Sequence, residues 1–244
     1  IQGQGDNAVV YVLEVNPRAS RTVPFVAKAT GMPVAAIAAK IMAGVTLAEQ
    51  GVLEDPIPAV CSVKESVFPF IKFHGVDIVL GPEMRSTGEV MGTSERFSIA
   101  FAKAQLGAGV VLPKDGMIFM SLAAPTKKHA ARIAGKLREL GFQILATEGT
   151  AKLLEEAGLE VKRVKKLQEG NPNLIDYLVD GAVKLIINTP SGKGARTDEG
   201  KIRAAAVSHG VPCITTIPAV DAALLAIEAL RTEEMTVQAL QDRF

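Results

Sequence analysis

Glu14 and Asn16 stand two residues apart, so on an extended chain they share one face while Leu13 and Val15 turn to the other. A carboxylate and an amide oxygen side by side are hard oxygen ligands, of the kind Mg²⁺ takes one or two at a time together with phosphate oxygens and water. Pro17 stops the strand, and Arg18 and Arg21 follow where a guanidinium can hold a phosphate or carboxylate through paired hydrogen bonds. A second set lies in the later half. Thr147-Glu-Gly-Thr150 falls where a strand should end and a helix begin, so hydroxyls, a glycine permitting close backbone approach and the unpaired N–H groups of a helix start converge. That combination suits an anion. Asn188-Thr189-Pro190-Ser191-Gly192-Lys193 follows another expected strand with amide, hydroxyl and ammonium donors, and Lys127 and Lys166 add positive charge to the same edge.

These groups need a scaffold, and the hydrophobic pattern supplies one. Residues 1 to 109 mix a strand-like run, Val9 to Val15, with Pro-rich turns and helices expected over about Val23 to Gly31, Val34 to Ala43 and Ser94 to Ala104. After Gly107-Ala-Gly109 short apolar runs alternate with helical periods: strands at Met117 to Leu122, Phe142 to Leu145, Glu160 to Val164, Leu185 to Asn188 and Val211 to Ile214. Between and after them come helices at Lys127 to Leu140, Thr150 to Ala157, Leu174 to Asp180, Glu199 to His209 and Ala219 to Leu230. Strict alternation predicts an α/β fold, a parallel sheet covered by helices on both faces, with ligands at the carboxyl ends of the strands.

Composition bounds the partners. The 244 residues are 48% hydrophobic and 22% charged, an ordinary globular balance, and a formal charge of +1 argues against a nucleic-acid surface. Cys61 and Cys213 are too few for a disulfide framework or a zinc site, which points to a reducing, intracellular setting. No apolar run reaches the eighteen or so residues a membrane helix needs, so a soluble, cytoplasmic protein with no membrane partner is expected. A chain that opens on Ile1 and runs at once into a strand reads as a fragment of something longer.

Glu14-Val-Asn-Pro-Arg18, Ser62-Val-Lys-Glu65 and the stretch Gly81-Pro-Glu-Met-Arg-Ser-Thr-Gly-Glu-Val-Met-Gly92 resemble the carbamoyl phosphate synthetase large chain family. The first half is similar to the end of its second ATP-grasp domain. The later half resembles its methylglyoxal-synthase-like regulatory domain, with the boundary expected between residues 112 and 113. For the first half the resemblance implies Gln2, Glu14 and Asn16 as ligands of Mg²⁺ or Mn²⁺ and Arg18 as a catalytic, phosphate-binding arginine. The implied reaction is ATP-dependent phosphorylation of carbamate, in which positioning and charge neutralisation do most of the work. For the second half it implies an effector site of Lys127, Thr147, Thr150, Lys166, Asn188, Thr189 and Ser191 for a nucleotide monophosphate such as uridine monophosphate (UMP) or inosine monophosphate (IMP). The full-length enzyme would work with a glutaminase small subunit, as a homo-oligomer, in pyrimidine and arginine biosynthesis. Ornithine activation in the family implies Glu65 and Thr215 as a candidate contact; here Cys213-Ile214-Thr215 replaces a Tyr-Asp-Thr run, so that contact is expected to be incomplete. With the adenine pocket expected upstream of Ile1, the fragment alone is expected to be inactive.

Two rival functions fare less well. A stand-alone methylglyoxal-synthase-type lyase needs a carboxylate beside the phosphate to move protons, and where that family carries an aspartate after two glycines this chain has Gly170-Asn-Pro-Asn173, leaving Asp176 and Asp198 by proximity only. A dinucleotide oxidoreductase wants a Gly-x-Gly-x-x-Gly turn after the first sheet strand, and the turn after Leu122 reads Ala-Ala-Pro-Thr126. His74, His129 and His209 are scattered without metal-ligand spacing.

Overall fold

The computed structural model describes residues 2–3, 5–15, 17–72, 78–80, 83–165, 167, 169–190 and 198–243, apart from the side chain at 71. The chain divides into two compact units, residues 1–57 and 58–244.

In the first unit two helices, α1 (Thr22–Thr30) and α2 (Val34–Met42), are joined through Gly31, whose positive φ of 75° closes α1 with a hydrogen bond to Ala27 O. Ala29 is the one described residue of this unit that is fully buried. The strand expected over Val9 to Val15 is not formed: one backbone bridge pairs Gln2 with Val9, and Leu13 is 94% exposed. An extended segment is held by the hydrogen bonds of a neighbouring strand, and beyond Val9 none of the described residues provides them.

The second unit opens with an antiparallel pair, β1 (Cys61–Val67) and β2 (Gly88–Ser94), covered by α3 (Phe97–Gly107). Gly92 makes the cover possible, because a Cβ there would overlap Ala100 O and Ala104 N of α3. The helix expected from Ser94 starts three residues later, since the strand claims Ser94 through its pairing with Cys61.

Next come β3 (Met117–Ser121), α4 (Ala130–Glu139), β4 (Gln143–Thr147), α5 (Glu148–Glu156) and β5 (Lys162–Val164). They are followed by α6 (Leu174–Val179), β6 (Val183–Asn188), α7 (Asp198–Ser208), β7 (Cys213–Ile214) and α8 (Ile217–Thr232). The five strands form one parallel sheet in the order β5-β4-β3-β6-β7. The expected alternation is thus realised, with β5 and β7 cut short at the edges, where only one neighbour binds them. A 3-10 turn, Ala124–His129, precedes α4, with Pro125 setting its first residues.

Alternate side chains of each strand enter two cores. Ile118, Met120, Ile144 and Leu185 pack with Ile133, Leu137, Leu154 and Ile227 of α4, α5 and α8. Phe119, Leu145 and Ile186 pack on the other face with Leu174, Leu178 and Ile202 of α6 and α7. Successive strands run outward from β3 to β5 and then resume on its other side at β6, so the order reverses between β3 and β6. In open α/β sheets that crevice is where ligands bind.

Candidate functional site

The period of two extends the second core to a polar row. Phe119 and Leu145 face α6 and α7, so Ser121 and Thr147, two residues on, share that face; Ile186 does the same for Asn188. Ser121 lies opposite Asn188 in the β3–β6 register, and Thr147 Oγ1 donates to Ser121 Oγ at 3.5 Å. Three adjacent strands therefore end in Thr147, Ser121 and Asn188, side by side across the switch point. Below them a cavity of about 240 Å³ is walled by Phe119, Leu167, Leu174 and Ile202, with Ser121, Thr147, Lys165 and the carboxylates of Asp198 and Glu199 as its polar members. A mostly apolar recess with a few convergent polar groups is the common form of a small-molecule site. A larger recess, about 720 Å³, lies between α3 and the end of α8, beside Lys114 ahead of β3. It sits on the amino side of the sheet, away from these groups.

Beside the row, Thr147 is the residue that starts α5, yet its hydroxyl makes no capping bond. By contrast, Asn173 accepts from Ile175 N–H at the start of α6 and Thr216 accepts from Ala219 N–H at α8. The first turn of α5 thus keeps its N–H groups without a side-chain acceptor from Thr147, and a helix start in that state favours an anion. Lys127 brings a cation to it: a Cβ on Gly149 would stand 3.2 Å from Lys127 Nζ, so the glycine keeps room for the ammonium beside the helix. Glu148 puts a negative charge in the same turn, and Arg163 of β5 takes it up, donating to Glu148 at 2.7 Å and to Glu155 at 2.8 Å. Those bonds, Glu155's foremost, hold the Arg163 guanidinium still more firmly protonated and lower the Glu155 carboxyl.

Two predicted contacts are buried and bonded within the fold. Thr150 Oγ1 accepts from Leu122 N–H at 3.2 Å. Thr189 Oγ1 accepts from Ala123 N–H at 2.9 Å and lies 2.7 Å from Thr126 Oγ1; since Thr126 donates to Ala123 O, Thr189 is the donor there. Both threonines tie the chain leaving β3 to its neighbours, Thr189 with its whole hydroxyl and Thr150 with its proton to spare. Asn188 is fully buried, with Oδ1 accepting from Arg203 at 2.8 Å. Lys166 and Ser191 lie outside the described residues.

Ser121, Thr126 and Arg203 were not singled out from the sequence. Ser121 was legible in principle, as the last residue of a strand whose preceding positions alternate cleanly. Arg203 carried a weaker sign, a lone arginine in the run Ile202-Arg-Ala-Ala-Ala206.

The metal set expected in the first unit lies partly outside the described residues. Gln2, Glu14 and Arg18 are all exposed, Asn16 lies outside the described residues, and no described group of three or more His, Cys, Asp or Glu gathers.

Glu65 lies on β1, its Oε2 accepting from Gln105 of α3 at 2.8 Å. Burial pushes its carboxyl above the usual range, against opposing bonds from Ser66 and Gln105. Thr215, just past β7, is half-buried. No hydrogen bond or ion pair among the described residues joins it to Glu65. A raised acid stays protonated longer folded than unfolded, so stability falls as pH climbs from the ordinary carboxylate value through the raised one. Glu65→Gln is therefore expected to match wild type in thermal unfolding at about pH 3.5 and to unfold at a higher temperature at about pH 7; equal midpoints at both would refute the buried-carboxylate cost.

Comparison with known proteins places the chain. Residues 129–215 match the MGS-like domain family, and residues 4–50 match the carbamoyl-phosphate synthase L chain ATP binding domain. The carbamoyl phosphate synthase large chain of Rhodopirellula baltica is 65% identical over 244 residues, 100% of this chain and 22% of the relative. Those of Synechocystis sp. and Archaeoglobus fulgidus are 52% and 53% identical over 98% and 96% of this chain, again 22% of each relative. The chain belongs to the carbamoyl phosphate synthase large-chain family. It spans 22% of the length of those carbamoyl phosphate synthase large chains. Among the described residues no single helix is long and apolar enough to cross a membrane.

Proposed function

We propose that residues 113–244 act as an effector domain that binds a nucleotide monophosphate, UMP or IMP, at the carboxyl edge of the parallel sheet. The observation that carries this is the unsealed start of α5, with the Lys127 ammonium held against Gly149 and the row Thr147, Ser121 and Asn188 beside it. The phosphate sits at the first turn of α5, held by Lys127, Thr147 and Thr150, with Lys166, Ser191 and Asn188 completing its contacts. Thr189 serves by fixing the chain after β3.

In the whole large chain, residues 1–112 supply the end of the carbamate-phosphorylating ATP-grasp domain. Gln2, Glu14 and Asn16 meet Mg²⁺ or Mn²⁺ there and Arg18 meets phosphate once the rest of that domain surrounds them. ATP and ammonia from a glutaminase small subunit are the inputs, the assembly is a homo-oligomer, and the setting is the cytoplasm, in pyrimidine and arginine biosynthesis. Ornithine, where it acts, meets Glu65 and Thr215. The lyase alternative is not favoured: Asp176 accepts from Asn173 N–H at 2.7 Å as half of the capping box of α6, so its carboxylate is committed to the helix, and Asp198, which does line the cavity beside Ser121 and Thr147, is paired with Lys201 at 3.8 Å.

Calorimetry of this chain with UMP and IMP against uridine and inosine tests the reading. The monophosphates are expected to bind and the nucleosides to bind at least tenfold more weakly, with Lys166→Ala costing about ten- to a hundredfold and His129→Ala little. Nucleosides that bind as well as their monophosphates would end it.

A further inference from the structure

Arg203 is the largest fully buried side chain among the described residues, in a helix otherwise built of small and apolar groups on that side. A guanidinium out of water is costly unless its donors are met. Part of its donor capacity goes to Asn188, whose oxygen it takes at 2.8 Å. Because arginine only donates, only the amide oxygen can face it, and this settles which way the Asn188 amide is turned. The NH2 group is then directed elsewhere, and it is buried with no acceptor among the described residues. Buried donors in folded proteins are almost always met.

From this pair we infer that Arg203 is a positioning residue of the effector site: it locks Asn188 so that the NH2 group, beside Ser121 in the row at the switch point, is the donor that a ligand oxygen meets. The inference rests on the anion-site reading above and adds to it a buried arginine that need not touch the ligand. Without the arginine the amide can turn over and present its oxygen, which repels a phosphate or any other acceptor.

Two kinds of variant test it, read by calorimetry with inorganic phosphate and UMP and by thermal unfolding. Asn188→Asp keeps a partner for Arg203 but replaces the NH2 with an oxygen; affinity is expected to fall at least tenfold while the unfolding midpoint holds or rises. Arg203→Met and Asn188→Ala should each weaken binding about tenfold, and the double variant should be no weaker than Asn188→Ala alone, because the lock has nothing left to hold. Arg203→Gln, which can still donate to Asn188, should recover part of the loss. Should Arg203→Met fail to fold, Asn188→Asp decides the matter by itself. Wild-type affinity in Asn188→Asp, or losses that multiply in the double variant, would overturn the inference. If Lys127→Ala also leaves binding untouched, the anion site itself is refuted; if Lys127→Ala weakens binding while Asn188→Asp does not, only the role of Arg203 falls.

Discussion

Gly92→Ala will lower the thermal midpoint of the 58–244 unit by on the order of 10 °C. Most added methyl groups meet side chains that can turn aside. Here the obstacles are a carbonyl oxygen and an amide nitrogen of α3, Ala100 O and Ala104 N, and neither can move without moving the helix. Overpacking of a core commonly costs about 1 to 3 kcal/mol, and a backbone obstacle belongs at or above the upper end of that range. Gly88→Ala on the same strand is the control, since its Cβ would meet only the Cβ of Val67, at 4.0 Å. Differential scanning calorimetry of both variants checks this; equal midpoints would mean that β2 and α3 do not abut as described.

Lys127→Met should weaken UMP binding ten- to a hundredfold without lowering the unfolding temperature. A charge-assisted contact to phosphate is worth about 1.5 to 3 kcal/mol, and among the described residues Lys127 makes no hydrogen bond or ion pair whose loss would be felt in the fold. Thr150→Val is the instructive contrast. It removes a hydroxyl donor from the helix start and also strands the buried Leu122 N–H, so both affinity and stability should drop. Thr150→Ser, which keeps the oxygen, should restore the stability and most of the binding. Isothermal titration with UMP decides: unchanged affinity in Lys127→Met would remove the ammonium from the site.

The sheet and its helices were legible because their signal is periodic and local: apolar runs near Met117, Phe142 and Leu185 could be read without knowing their neighbours. The order β5-β4-β3-β6-β7 was not spelled out by any run: right-handed crossovers require a reversal somewhere if helices are to cover both faces, but not that it fall between β3 and β6. The pair β1 and β2 went unread because Gly88-Glu-Val-Met-Gly-Thr-Ser94 lacks β-branched density and draws its stability from α3, a contact that local propensity does not record. Val9 to Val15 failed for the converse reason: its residues favour a strand, but a strand is made by its partner. At the proposed site, Thr147, Thr150 and Lys127 were chosen from residue type at a strand-to-helix junction. Arg203 was not, because a buried arginine on α7 has meaning only once Asn188 is seen across from it.

The Arg163 bridge also governs how the edge responds to its medium. Dissolved ions attenuate charge attraction over about 8 Å at physiological strength and over shorter distances as they are added. They thus weaken the pull of Lys127 on an incoming phosphate directly. They also slacken Arg163's grip on Glu148, both of which are solvent-exposed, and a carboxylate released at the mouth of α5 competes with the phosphate for the same field. The same ions screen that repulsion, so on the proposed reading effector affinity should decline with added electrolyte no more steeply than the lysine contact dictates, and Glu148→Gln, which leaves the Arg163 charge less neutralised, should steepen the decline.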